Sequence, residues 1–357
     1  LQTINQVQTT AFSRLSNSMR INKKSFYMVF LAVLLPIVGI SSLCFGRYEM
    51  GALQTLEIIL DYMSGHLEGD AATEFMIIES VRLPRVILSV IVGAGLAMSG
   101  AALQTIFKNP LVGPQFLGFS GGAAFGGALA IFFGLGAFYI VFGAFGFGLF
   151  AVVLVFLLSG DSRKASVLAL ILSGIVITAF FSSAVSLLTF FADPFSNMPA
   201  IVFWLMGSFA GASYEKIYIA LIPFLIGGYA IFAVRWKLNL LALSDDEAKA
   251  FGVNPAFLRW LVFVAVALIV AGGIAVAGEV GWVGLVVPYM ARMLFGSDCR
   301  YLIPASALLG ASFLTLIDTL CRSAMAAEIP IGILTAFVGA PLFFVLLRSY
   351  GKRALND

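Results

Sequence analysis

From residue 109 to residue 160 the chain runs for 52 residues without one Asp, Glu, Lys or Arg. A water-soluble helix of that length would have no polar face to turn to solvent. About 20 helical residues cross a hydrocarbon core ~30 Å thick, so this run holds two membrane spans. Further uncharged runs cover 25–46, 86–107, 165–192, 217–234, 260–278, 301–317 and 329–347. Residues 280–291, flanked by Gly278, Gly281 and Arg292, are shorter and count as a tenth span. Composition agrees, because a chain 61% hydrophobic and 11% charged lacks the polar surface of a soluble domain. The fold class is all-α, a polytopic membrane protein of about ten transmembrane helices.

The charges that remain order the topology. Residues 1–25 are polar and basic, with no small-residue cleavage site after the first apolar run, and read as a cytoplasmic leader. The membrane domain covers 26–349 and a cytoplasmic tail 350–357. With an inside N-terminus and ten spans, the inner side receives Arg14, Arg20, Lys23, Lys24, Lys108, Arg163, Lys164, Arg235, Lys237, Lys249, Arg259, Arg292, Arg300, Arg348, Lys352 and Arg353. The outer side keeps Arg47, Arg82, Arg85, Lys216 and Arg322. That asymmetry follows the positive-inside rule and places both termini in the cytoplasm.

It also places 240–258, LLALSDDEAKAFGVNPAFL, inside. Ser244 with Glu247 three residues later is a capping box, and Asp245, Asp246 and Glu247 suit the positive end of a helix dipole. Ala248, Lys249, Ala250 and Phe251 continue the helix, Gly252 ends it, and Asn254-Pro255 opens the next one. Membrane helices need far shorter connectors. The same residues fit a capped surface loop or a short helix offered to a partner.

Elsewhere the chemistry is sparse. An outer loop is expected after the first span, carrying Asp61, Glu68, Asp70, Glu74, Glu79 and the only histidine, His66; these lack metal-site spacing. Cys44, Cys299 and Cys321 form no CxxC and read as small apolar fillers. No catalytic, metal or cofactor residues stand out, and no GxxxxGK[ST] occurs, so any ATP and its magnesium belong to another chain. Gly118, Ser120, Gly121 and Gly122 have the spacing usual for close helix packing, and the Gly and Ser here could also border a polar path. Residues 192–216 are apolar but too short to cross twice; an outer-face helix at about 196–210 is expected, with Trp204 near the headgroups. Asp318 is the acid of an otherwise uncharged span, one turn before Arg322, and reads as a structural pair in preference to a proton relay.

Several segments in order carry a resemblance. RLPR at 82–85, GAGLAMSGAALQTIFKNPLVGPQFLGFSGGA, LLALSDDEAKAFGVN, GEVGWVGLVVPYMARMLFGSDCR at 278–300 and EIPIGILTAFVGAPLF at 328–343 together resemble the FecCD family. These are permeases of type II ABC importers for iron–siderophore complexes, haem and cobalamin. The chain departs from the family pattern at three positions. Tyr289 and Cys299 stand where histidines are usual, and Glu279 where an apolar residue or proline is usual.

The resemblance implies a ten-helix subunit of the inner (plasma) membrane, paired with a second permease subunit in a homodimer. It implies two ATPase subunits inside, a substrate-binding protein outside and a ferric siderophore as cargo, with haem or cobalamin as the alternative. Ser244, Asp245, Asp246, Glu247, Ala248, Ala250 and Gly252 would contact the ATPase, with Ala248, Ala250 and Gly252 giving close approach. Arg82, Arg85 and Arg322 would face outward to acidic lobes of the binding protein; read without the resemblance, they are helix-end arginines snorkelling to headgroups. A secondary transporter working without ATP fits less well, because the third to fifth spans lack ionisable groups.

Overall fold

A computed structural model gives the fold, and it describes every residue except 1, 47, 49, 65–68, 161–166, 326 and 355–357. For 2–22, 59, 63, 70, 116, 167 and 349–354 only the backbone is described. Arg47, His66, Glu68, Arg163 and Lys164 therefore lie outside the described residues, as do the side chains of Arg14, Arg20, Asp70, Lys352 and Arg353. The described elements are helical: α1 (Gln2–Cys44), α2 (Ala52–Ser64), α3 (Asp70–Ile77), α4 (Leu83–Ile106), α5 (Phe119–Phe132), α6 (Ala137–Ser159) and α7 (Val167–Phe191). Then come α8 (Asn197–Leu205), α9 (Tyr214–Leu238), α10 (Asp245–Ala250), α11 (Pro255–Ala277), α12 (Val283–Phe295), α13 (Cys299–Ser323) and α14 (Ile331–Ala354).

Eight of these helices are long and apolar enough to cross a membrane. The remaining two expected spans are half-length. α5 has 14 residues and α12 has 13, about 20 Å each against a core of ~30 Å. α5 follows a 3₁₀ turn, Pro114–Leu117, and Gly118 at φ 83°, and α12 follows Trp282 at φ 65°. In a bilayer such irregular backbone survives only inside protein or beside a polar cavity.

Successive helices alternate between two ends of the bundle. Arg82 bonds the carbonyls that close α1, and Tyr214 at the start of α9 donates to the Glu79 carbonyl; this is the Arg82 end. Lys108, after α4, donates to the carbonyls of Ala242 and Leu243 just before α10, which marks the α10 end.

Among the eight long helices burial is greatest in α4, α11 and α13, while α1 and α14 are the barest. Small residues let the central helices touch. A Cβ on Gly93 would overlap the Gly310 carbonyl, and one on Gly310 would overlap the Gly93 carbonyl, so α4 and α13 meet backbone to backbone. Gly126 of α5 and Gly143 of α6 make the same reciprocal contact.

The outer loop expected after the first span is instead two helices. Met50, Ile58 and Ile78 form a small apolar cluster that folds α2 back onto the run leading to α4. α3 enters α4 through a π-helical turn, Ile78–Arg82. Pro84 has no N–H to keep the ordinary ladder, and the wider turn just before it absorbs the break. The outer-face helix expected at about 196–210 is the shorter α8. The Trp204 ring lies against Gly127 of α5, half-buried, and so packs within the fold.

Candidate functional site

At the α10 end, a six-residue helix has both ends tied. The Ser244 hydroxyl accepts from the Glu247 N–H (3.3 Å), and the Glu247 carboxylate accepts from the Ser244 N–H (2.9 Å), completing the capping box. After Phe251 the chain turns left-handed at Gly252, φ 77°. Gly252 N–H donates to the Lys249 carbonyl and Val253 N–H to the Ala248 carbonyl, a Schellman ending. The result is a rigid knob on a 3₁₀ turn, Asn239–Ala242, and on α11.

The structure corrects one expected contact residue. Ala248 is 1% exposed and turns into the chain's own bundle, because so short a helix must seal one face to hold its place. What remains outward is Ser244, Asp245, Asp246, Glu247, Lys249, Ala250, Gly252 and Phe251, the last 68% exposed. Phe251 is the contact candidate that sequence reasoning missed; it read as one more helix-forming residue. The acids already have partners in the chain. Asp245 pairs with Arg259 (2.9 Å), Asp246 with Lys249 (3.1 Å), and Glu247 caps. The Arg259 hydrogen bond holds the Asp245 carboxyl below its ordinary range, and the Ser244 N–H does the same for Glu247. Nearby, Asp298 caps α13 and binds Arg300 and the Asn239 amide, which together lower its pKa to about 2.

At the Arg82 end the three arginines expected to face outward are inside the fold. Arg82, Arg85 and Arg322 are 3%, 5% and 4% exposed. Arg82 donates to the carbonyls of Leu43, Cys44 and Tyr48, tying the end of α1 to the π turn. Arg85 binds Asp318 through two nitrogens at 2.9 Å and Glu328 through a third at 3.0 Å. Arg322 bonds the carbonyl and hydroxyl of Ser42 and stands 3.9 Å from Asp318. Asp318 is thus paired, as expected, but chiefly with Arg85 from another helix. The same-helix pair to Arg322 is too long for a good hydrogen bond, whereas the planar fork of Arg85 fits a carboxylate. Glu328 was not singled out from sequence, since its partner lies 243 residues away.

Between these ends, the small residues divide by role. Gly118 lies against Ile177 and Val155, Gly121 against Thr178 and Phe181, and Gly122 against the Phe147 carbonyl and Ala151. All three are packing contacts. Ser120 turns into a narrow crevice shared with Leu96, Gln115 and Glu279. Tyr289 is buried with its ring 5.9 Å from Phe343 of α14 and its hydroxyl 3.4 Å from the Leu346 carbonyl. Cys299 is buried, its N–H on the Asn239 side chain. Among the described residues no cluster of His, Cys, Asp and Glu has the grouping of a metal site.

One more arrangement ties the short α8 to two of the spans. Ser208 N–H donates to the Ala277 carbonyl (2.8 Å), Ile331 N–H to the Gly207 carbonyl and Gly332 N–H to the Met206 carbonyl (both 3.0 Å). The end of α8, the end of α11 and the start of α14 are therefore joined through their backbones. Such a junction requires glycine: at Gly207 (φ 73°) a Cβ would press on the Glu279 carbonyl.

This architecture has known counterparts. The FecCD transport family model matches residues 34–349. A molybdate import system permease of Haemophilus influenzae is 44% identical over 92% of this chain and 96% of its own. A Helicobacter pylori permease named for iron chelatin transport is 39% identical over 92% of this chain and 99% of its own. A solved structure described as an inward-facing metal-chelate type ABC transporter superposes with a TM-score of 0.82 at 42% identity, covering 91% of this chain and 99% of that one. By sequence and by fold alike, the chain belongs to the FecCD transport family of ABC transporter permeases.

Proposed function

We propose that this chain is the permease subunit of an ATP-driven importer, working as a homodimer that carries a ferric chelate into the cytoplasm. The observation that carries the reading is α10. A helix with both ends capped, packed through Ala248 and presenting Phe251 to water, is a rigid surface for a soluble partner, here an ATPase that supplies ATP and magnesium. Lys108, Arg235, Lys237, Lys249, Arg259, Arg292, Arg300 and Arg348 gather at the same end, which supports a cytoplasmic position for it. The binding protein would then meet the Arg82 end, where an acidic lobe must compete with Asp318 and Glu328 for Arg85. A second copy of the chain is supported by α7, whose exposed surface carries Ala179, Ser183 and Ser186 at helix-face spacing.

The ferric chelate follows from the resemblance and from the relative named for iron chelatin. A second cargo reading, molybdate, is favoured by the 44% identical relative. A carrier running on a proton gradient is disfavoured by the ion pairing of Asp318. Proteoliposomes holding this permease, its partner ATPase and its binding protein decide among these readings. ATP-dependent uptake of labelled ferric hydroxamate is the expected result, with haem and cobalamin as parallel cargoes. Uptake of labelled molybdate alone selects the second reading, and uptake on a proton gradient without ATP rejects the importer.

A further inference from the structure

Apart from the two ends and the crevice, α6, α8, α9 and α11 surround a half-open cavity of about 210 Å³ near the Arg82 end. Its walls are apolar, with Val141, Trp204, Ala275 and Val276 among them, and its polar groups are Ser208 and Lys216. Lys216 belongs to the first turn of α9. Its ammonium reaches over Gly211, to 3.0 Å from where a Cβ would stand, so the missing side chain leaves it room. Among the described residues no carboxylate lies within ion-pair distance of that ammonium.

The surroundings say what kind of molecule fits. Phe138 at the start of α6, Phe203 on α8 and Tyr218 on α9 are 71%, 65% and 64% exposed, an apolar surface that a bilayer covers. A lysine in the first turn of a spanning helix stands at headgroup level, where phosphates are. The cavity below it is larger than the apolar cavity of about 150 Å³ that holds a benzene molecule, so it has room for a stretch of hydrocarbon. One unpaired cation above one apolar pocket matches an anionic amphiphile.

We infer that this cavity is a binding site for an anionic phospholipid, the phosphate on Lys216 and part of one acyl chain between α6 and α11. The site also touches the junction described above. Ala277 and Gly278 line the cavity together with Ser208 and Trp204, and the Ser208 N–H to Ala277 carbonyl bond crosses beside it. A bound lipid therefore braces the contact between α8 and α11 that precedes the half-length α12. The inference is independent of which cargo the transporter carries.

The test uses the full chain in its assembled transporter, placed in nanodiscs of dioleoyl phosphatidylcholine with or without phosphatidylglycerol. Native mass spectrometry reads lipid retention, and thermal melting reads bracing. Phosphatidylglycerol should be retained by the wild type and raise its Tm. Lys216→Ala should lower that retention about fivefold, the effect of one cationic contact to an anionic headgroup. Ala137→Phe, at the exposed mouth, should lower it with Lys216 intact. Retention unchanged in Lys216→Ala, or unchanged in Ala137→Phe, overturns the site. Equal stabilisation by inorganic phosphate in phosphatidylcholine discs overturns the lipid assignment in favour of a free anion.

Discussion

Arg85 on α4 and Asp318 on α13 form a bidentate pair at 2.9 Å, with the two side chains 5% and 0% exposed. Glu328 takes the remaining edge of the guanidinium at 3.0 Å, so one arginine closes the Arg82 end across two segments far apart in sequence. Removing one partner of such a buried pair leaves a charge without compensation, which typically costs about 3–5 kcal/mol. Asp318→Asn should therefore lower the unfolding midpoint of the purified chain sharply, while uptake stays independent of a proton gradient. Replacing both residues with apolar ones of similar size should recover much of the loss. An Asp318→Asn protein as stable as wild type would show that the pair contributes little.

The α10 knob separates two substitutions that sequence alone would group together. Phe251→Ala removes an exposed aromatic and should change stability by no more than about 0.5 kcal/mol. If Phe251 anchors the ATPase, affinity should drop by about 2 kcal/mol, roughly thirtyfold, in a titration of the detergent-purified permease. Ala248→Trp instead overpacks the buried face and should cost about 1–3 kcal/mol, visible as faster amide exchange through α10. Normal ATPase binding by Phe251→Ala would remove it as the anchor.

Asp298 provides a pH-dependent test at the same end. Its pKa falls from 3.8 to about 2 in the fold, through Arg300 first and then the Asn239 amide. A depressed carboxyl contributes stability above its unfolded pKa and loses it as pH falls through the folded value. That contribution, about 1–2 kcal/mol after allowance for solvent, should therefore fade between about pH 4 and pH 2. Asp298→Asn should lack this component of acid sensitivity, although asparagine can still cap α13. Identical acid unfolding curves for the two proteins would contradict the assignment.

Two glycines on different helices should respond in opposite ways to one added methyl group. Gly310→Ala places a Cβ against the Gly93 carbonyl and must push α4 from α13, at a cost of about 1–3 kcal/mol. Gly146 in α6 has open space around its Cβ position. Gly146→Ala should hold stability or raise it by about 0.5–1 kcal/mol, because glycine is the poorer helix former. Thermal unfolding of both variants in one detergent measures the difference.

By itself the sequence determined whatever is decided within about twenty residues of chain. Uncharged runs set the spans, because hydrocarbon excludes charge regardless of what the neighbours do. Ser244 and Glu247 set a helix start, because both halves of the capping box lie three residues apart. The order of motifs carried the family. Tertiary structure decided which way side chains point and what they meet. Ala248 and Phe251 sit three residues apart on one short helix, yet one is sealed and the other bare. Arg85 and Arg322 looked like outward charges until Asp318, Glu328 and Ser42, up to 280 residues away, took up their donors. Two spans proved half-length, since neighbours that cover their irregular approaches make those approaches affordable in a bilayer. A pattern of residue types fixes what a segment can be, but facing and pairing are set by packing among segments, and only the assembled bundle holds that.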